Sequence, residues 1–385
     1  GENQDYTINY NTGEITFTSF RPIFKQNFIT ISYNYTNRNY NRFIVTSSVK
    51  HQTEKLKVSF DAFLENDNKN APLSLNLSKE DEQILANAGN NQDLMFAPSA
   101  VITEYDVNKI LYKLVQNPQG NYYEFSTDKA ETLYNVSFTY FGIGKGDYKL
   151  KQSTNNGRVF EFVGAGNGDY SALRKLPSPQ KSQVFSTSAE YTFNKGKIGG
   201  DFSLSNYDVN LFSSKNNDQN TGFAGRIFGN KIFTKNNWNG TVGAEFQRIS
   251  SQFHILDRIN DVEFSRDFNL TQEFNQITQN RLIFSFLNQW KNSNFINYKL
   301  NYLNEKQSYN GIKNDLDFKF LKKNTETRGN LSYLNTTSDF QDTQFARGNV
   351  STEILGKKGS WSFGGSFEHN VKNFNQTKTL DVTSF

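Results

Sequence analysis

The chain has 385 residues, no cysteine, three histidines and a formal charge of +4, with 36 Phe and 19 Tyr in an otherwise polar sequence. The missing cysteines exclude a disulfide framework, a thiolate metal site, a thiol nucleophile and a lipidated N-terminal cysteine, and the small, dispersed positive charge argues against nucleic acid as a partner. Aromatics at 15% beside a mean hydropathy of −0.70 are unlike a disordered chain and suit strands that carry apolar residues on one face only.

Residues 1–27 are predicted to form a β-hairpin: Tyr6, Ile8 and Tyr10 alternate, Asn11, Thr12 and Gly13 turn, and Ile15 and Phe17 continue. Residues 28–63 hold the first wall strands, near 28–35, 41–49 and 55–63. In the last of these, Leu56, Val58, Phe60 and Ala62 face away from Lys55, Lys57, Ser59 and Asp61. Residues 64–183 break the pattern and are too long for a plain loop. Within them SKEDEQILANAG predicts a short helix, with Ser78 as N-cap, acids Glu80, Asp81 and Glu82 in its first turn, and Gly89 as its stop. Strands near 134–141, 147–152 and 158–163 surround it. The segment is therefore expected to be an inserted, β-rich cap or plug subdomain, unless some of its strands join the wall.

From 184 to 385 alternation returns, with strands near 184–193, 197–206, 221–230, 239–248, 281–290, 295–303, 313–320, 326–334, 345–354, 361–368 and 376–385. Ile296, Tyr298, Leu300 and Tyr302 oppose Asn297, Lys299 and Asn301; Trp361, Phe363 and Phe367 oppose Ser362 and Ser366. Tight links near 194–196, 291–294, 321–324 and 356–359 alternate with longer polar loops near 208–220, 250–280, 305–312 and 336–344. Strands of about 8–10 residues, short turns at one end and long loops at the other are the pattern of an antiparallel transmembrane β-barrel, here of about 14 strands within a range of about 12–16. Both termini then fall on the short-turn, periplasmic side. A soluble β-sandwich also alternates, but it buries tightly packed aliphatics, whereas this apolar face is rich in Phe and Tyr. No run of about 18 apolar residues predicts a membrane helix, and a start at Gly1 with no signal peptide is expected of a processed or trimmed chain.

GENQDYTINYNTGEITFT resembles a module of large outer-membrane proteins of the Bacteroidota, and a similar Asp-Tyr-x-Ile-x-Tyr-x-x-Gly hairpin occurs in the type IX secretion translocon barrel. The chain more broadly resembles an uncharacterised outer-membrane family of the same bacteria. The similarity runs through ITISYNYTNRNYNR, DNKNAPL, PSAVITEYD, GKGDYKLKQSTNNGRVFEFV and NGDYSALRKLPSPQK to INDVEFSRDFNL. It implies an outer-membrane location in a Gram-negative bacterium and a chain that is part of a longer protein; it brings no activity with it.

Two motifs merit weighing for chemistry. The frame G-x-G-x-G-D-Y occurs twice, at Gly142, Gly144, Gly146 and Asp147, and at Gly164, Gly166, Gly168 and Asp169. The spacing is not the G-x-G-x-x-G of a dinucleotide site, and more strand follows instead of a helix. Asp147 and Asp169 are candidate calcium ligands by analogy with glycine-rich nonapeptide repeats, which need long stacked arrays. The favoured reading is structural: glycines for turns, Asp for turn hydrogen bonds, Tyr for the sheet. The second motif packs Asp261, Glu263, Arg266 and Asp267 into one loop. Paired carboxylates serve glycoside hydrolysis or divalent cations, but such clusters are more often salt-bridged rims or partner contacts. No G-x-S-x-G, H-E-x-x-H or Walker pattern occurs. The expectation is thus a non-enzymatic barrel without a cofactor, in contact with membrane lipid and other envelope proteins, serving secretion, assembly or surface display. A porin-like channel and a soluble or surface-attached adhesin are the alternatives.

Overall fold

In the computed structural model the described residues are 2, 4–9, 14–24, 39–73, 76–118, 120–154, 156–257, 259–270, 277–291, 293–306, 308–339, 341–356, 359–374 and 378–384. The N-terminal hairpin pairs β1 (Tyr6–Asn9) with β2 (Glu14–Phe17) in the register Tyr6↔Phe17 and Ile8↔Ile15. The strand expected at 28–35 lies outside the described residues. Two long strands follow, β3 (Tyr40–Gln52) and β4 (Leu56–Pro72).

Helix α1 (Lys79–Ala88) starts where its capping signal predicts. Ser78 Oγ accepts from the Asp81 amide at 3.2 Å, and Asp81 Oδ2 accepts from the Ser78 amide at 3.0 Å, which satisfies two otherwise orphaned donors. Ten short strands come next: β5 (Phe96–Pro98), β6 (Val101–Thr103), β7 (Tyr112–Val115), β8 (Tyr122–Phe125), β9 (Leu133–Asn135), β10 (Thr139–Tyr140), β11 (Tyr148–Thr154), β12 (Gly157–Phe162), β13 (Tyr170–Ser171) and β14 (Leu173–Lys175). The single strand expected at 134–141 is two: β9 joins the sheet β6-β9-β7-β8 and β10 joins β10-β13-β11-β12. The break has a local cause. The chain leaves one sheet at Val136 and enters the other after Phe138, whose ring stacks on Phe160 at 4.6 Å.

The remaining strands are β15 (Lys181–Phe193), β16 (Gly196–Asp208), β17 (Thr221–Lys235), β18 (Trp238–Ile249), β19 (Gln279–Trp290), β20 (Asn294–Glu305), β21 (Tyr309–Lys322), β22 (Thr325–Ser338), β23 (Gln341–Gly356), β24 (Gly359–Phe374) and β25 (Lys378–Ser384), with helix α2 (Phe264–Asp267) between β18 and β19. With β3 and β4 they make a 13-stranded antiparallel sheet, in which each strand pairs with its sequence neighbour except where β4 meets β15. Most run 12–17 residues, longer than the 8–10 expected from the apolar band alone. The long loops expected at 305–312 and 336–344 are tight hairpins, with Glu305 paired to Tyr309 and Thr336 to Thr343. Polarity misleads there, because a ladder between solvated strand tips needs no apolar side chains. Asn304 Nδ2 and the Tyr302 hydroxyl both donate to Asn310 Oδ1, at 2.8 and 3.0 Å, and hold the tip together.

Along this sheet one face is apolar and exposed, and register makes it continuous: Phe185↔Leu204↔Phe223, Ile227↔Phe246, Val242↔Phe286↔Tyr298, Tyr302↔Ile312 and Ile354↔Trp361. Trp361 is 71% exposed and Ile227 64%. The other face carries ion pairs, among them Arg226–Asp201 at 2.6 Å, Lys197–Glu190 at 2.8 Å and Lys319–Glu326 at 2.9 Å. No helix among the described residues is long and apolar enough to cross a membrane, which does not bear on strands.

The chain divides into two compact units, the first comprising 1–43, 66–180 and 209–215 and the second 44–65, 181–208 and 216–385. The bounds differ from the 64–183 expected for an insertion. Segment 209–215 belongs to the first unit because it finishes α1: Asn210 Nδ2 donates to the carbonyls of Leu85 and Gly89, both at 2.8 Å, and Ser213 Oγ to that of Ala86 at 2.8 Å. Lys215 Nζ adds a bond to the Asn87 carbonyl at 3.1 Å, supplying the cation that the last turn of α1 lacks. Leu85, Ala88, Met95, Ala97 and Leu176 form the buried core around this helix. Asp81, also buried, pairs with Arg174 at 2.6 Å.

Candidate functional site

The twin glycine frames, both in the first unit, are placed against each other. Gly146 and Gly168 exchange reciprocal backbone hydrogen bonds of 2.8 and 2.7 Å. Asp147 Oδ1 accepts from the Gly166 amide at 3.2 Å, while Asp169 Oδ1 accepts from the Gly144 amide at 3.0 Å, so each aspartate caps the other frame's turn. The relation is a local twofold, because adding 22 to one residue number gives its partner. Phe141 N donates to Asp169 O and Val163 N to Asp147 O, both at 2.9 Å. Phe138 and Phe160 stack on each other near the axis, and each also meets a frame tyrosine, Tyr148 or Tyr170, at 4.8 Å. Gly142, Gly144, Gly164 and Gly166 have φ of 110°, 70°, 99° and 71°, which L side chains rarely adopt. Gly146 and Gly168 are required by proximity: an added Cβ would sit 2.6 Å from the carbonyl carbon of Tyr170 or of Tyr148. Burial pushes the Tyr148 phenol up to about 12, and its oxygen accepts from the Tyr123 amide at 2.8 Å.

That geometry gives the candidate calcium ligands another task. Asp147 and Asp169 hold backbone amides, and among the described residues no group of three His, Cys, Asp or Glu side chains is placed to hold a metal ion. The frames form a brace.

The acidic motif, in the second unit, is where charge is concentrated. After β18 the chain folds back over the ion-paired face of the sheet, and α2 drives Phe264 and Phe268 into a buried cluster with Leu303, Tyr309, Leu334 and Phe345. The Tyr309 hydroxyl donates to the Phe268 carbonyl at 2.6 Å. Asp267 is clasped between two strands, bonded to Lys313 of β21 at 2.7 Å and to Arg347 of β23. Burial alone would raise its carboxyl, but the hydrogen bonds from Lys313 and Arg347 outweigh burial and hold it below the usual carboxylate range. Arg266 bridges to Glu368 at 3.1 Å and to Glu263 at 3.4 Å, and Asn269 Nδ2 reaches Asn370 Oδ1 at 3.2 Å.

Between this segment and the strands lies a cavity of about 440 Å³, lined by Glu245, Asp261, Arg281, Lys299, Lys313 and Asp315 together with α2. The Arg281 guanidinium lies 5.1 Å from the Phe264 ring centre and 5.9 Å from that of Phe268. Its Nη2 donates to Asn301 Oδ1 at 3.3 Å, whereas its buried Nε has no hydrogen-bond partner. Of the four residues singled out from sequence, Asp261 and Asp267 line the cavity, while Glu263 and Arg266 are exposed on its outer side. Sequence reasoning missed Glu245, Arg281, Lys299, Lys313, Asp315 and Arg347, which come from other strands. A signal for the docking was present: Leu303, Leu334 and Phe345 are apolar residues at polar-face positions, where they interrupt strict alternation.

A family model described as "Domain of unknown function (DUF8818)" matches residues 1–37, a stretch that contains the N-terminal hairpin. Comparison with curated proteins found no match.

Proposed function

We propose that this chain is a non-enzymatic outer-membrane β-barrel protein whose long sheet forms the barrel wall, acting as a subunit of a Bacteroidota envelope complex for secretion, assembly or surface display. One observation carries the reading: an uninterrupted, exposed apolar face rich in Phe, Tyr and Trp, backed by a salt-bridged polar face, on strands long enough to cross a bilayer at a tilt. An apolar surface of that extent is unstable in water and stable against lipid tails. The large first unit and the translocon-like hairpin support a role among partners. The charged groups over the polar face are largely engaged in clasping Asp267, which supports a structural and not a catalytic use.

The test uses Trp361. With Trp238 and Trp290 changed to Phe, the reading expects Trp361 fluorescence to be quenched by lipids brominated along their acyl chains. It also expects partner proteins to co-purify in mild detergent. Full solubility without detergent together with an unquenched Trp361 refutes the barrel and leaves the adhesin alternative; repeated isolation as a lone monomer refutes the complex.

A further inference from the structure

We infer that segment 261–270 is a fixed constriction across the polar face of the sheet, so that small hydrophilic solutes moving along this face pass through the charged cavity beneath it. The inference rests on the barrel reading, in which the polar face lines the lumen. Three features of the second unit carry it. The segment is seated on a buried apolar patch, since Phe264 and Phe268 cover Leu303, Leu334 and Phe345 on a face that is otherwise polar. Asp267 ties the segment to two strands two positions apart in the sheet, through Lys313 and Arg347, which fixes its height and its span. The space left beneath is a cavity and not a packed core, and beside the clasp it presents Glu245 and Asp261 together with Arg281 and Lys299. Acids and bases are matched in number there, so the passage favours neutral or zwitterionic polar solutes over ions of one sign. Removing the Asp267 carboxylate leaves Lys313 and Arg347 beside the passage and turns its selectivity toward anions.

The experiment compares the full chain with Asp267→Ala and Phe268→Ala in planar bilayers, and follows trypsin cleavage after Arg266 as an independent report of whether the segment is docked. The expected result is that Arg266 is protected in the parent chain and cut in both variants. Conductance should rise severalfold in both, and the reversal potential should move toward anions in Asp267→Ala. Cleavage at Arg266 with unchanged conductance overturns the constriction while leaving the barrel reading intact. Continued protection in both variants also overturns it, because the clasp and the aromatic seat then do not hold the segment. Failure of the parent chain to insert into bilayers removes the barrel reading, and the inference with it.

Discussion

Replacing Gly146 with Ala tests the reciprocal brace directly, because its neighbour Gly144 is a matched control. At Gly146 the new Cβ would lie 2.6 Å from the Tyr170 carbonyl carbon, against about 3.5–4.0 Å for an ordinary carbon contact. The obstacle is backbone, so no side chain can swing away. The clash separates Gly146 from Gly168, breaking two reciprocal bonds, and also pulls Asp147 and Asp169 from the Gly166 and Gly144 amides. Overpacking and the lost hydrogen bonds together are worth about 3–5 kcal/mol. At Gly144 an added Cβ meets nothing within 4 Å, and the cost is only that of a left-handed φ of 70°, about 1–2 kcal/mol. The local twofold then requires Gly168→Ala to match Gly146→Ala and Gly166→Ala to match Gly144→Ala. Because either large-effect substitution breaks the same contact, the Gly146→Ala, Gly168→Ala pair should cost little more than one alone. Denaturant unfolding of the full chain measures the costs, and amide exchange over 138–170 locates them. Equal losses at Gly144 and Gly146, or unequal losses at Gly146 and Gly168, would refute the reasoning.

Two further outcomes follow from the first unit. Asn210→Ala strands the carbonyls of Leu85 and Gly89 in a buried site and is expected to lower stability by about 2–4 kcal/mol, with exchange protection lost first in α1; an effect below about 1 kcal/mol would contradict the capping role. For Asp81, burial acts to raise the carboxyl, but hydrogen bonds from Arg174 and Ser78 prevail and depress it. A depressed carboxylate contributes stability that is fully present above its unfolded value, near about 4, and is lost as pH falls below that value toward the folded one. Asp81→Asn should therefore flatten the acid limb of an unfolding-versus-pH curve below about pH 4, and an unchanged limb would rule Asp81 out as its source.

Strand positions were legible because period two is imposed by the backbone itself, and each wall strand expected within the described residues has a counterpart in the sheet. Strand ends were not legible. Glu305, Tyr309, Ser338 and Gln341 are polar or amphipathic, and polarity marks a solvated strand tip as readily as a loop. Helix α1 was legible from Ser78 to Gly89 because capping is a local code. The capping of its other end was hidden, since Asn210 lies 121 residues beyond Gly89 and no local pattern links them. The glycine frames were visible as a repeat, but their mutual pairing was not: identical turns predict two turns, and only their placement makes each aspartate serve the other copy. The cavity was the least legible, because Arg281, Lys313 and Arg347 are single basic residues on three strands, brought beneath one loop by register alone.

The one long-range seam in the sheet, where β4 meets β15, has a kinetic consequence. Every other pairing closes a short hairpin, so contacts along most of the wall form between residues already near in sequence. The β4–β15 pairing must bring together ends separated by the body of the first unit, where the Asp67 amide bonds to the Gln180 carbonyl at 2.9 Å. Loop-closure entropy grows only as the logarithm of that separation, and a first unit that has already folded presents its two ends at strand spacing and removes most of that cost. Order of assembly is thereby built into the connectivity: 66–180 acts as a template that sets the register of β15 on β4, and the ten strands from β16 onward then add one hairpin at a time.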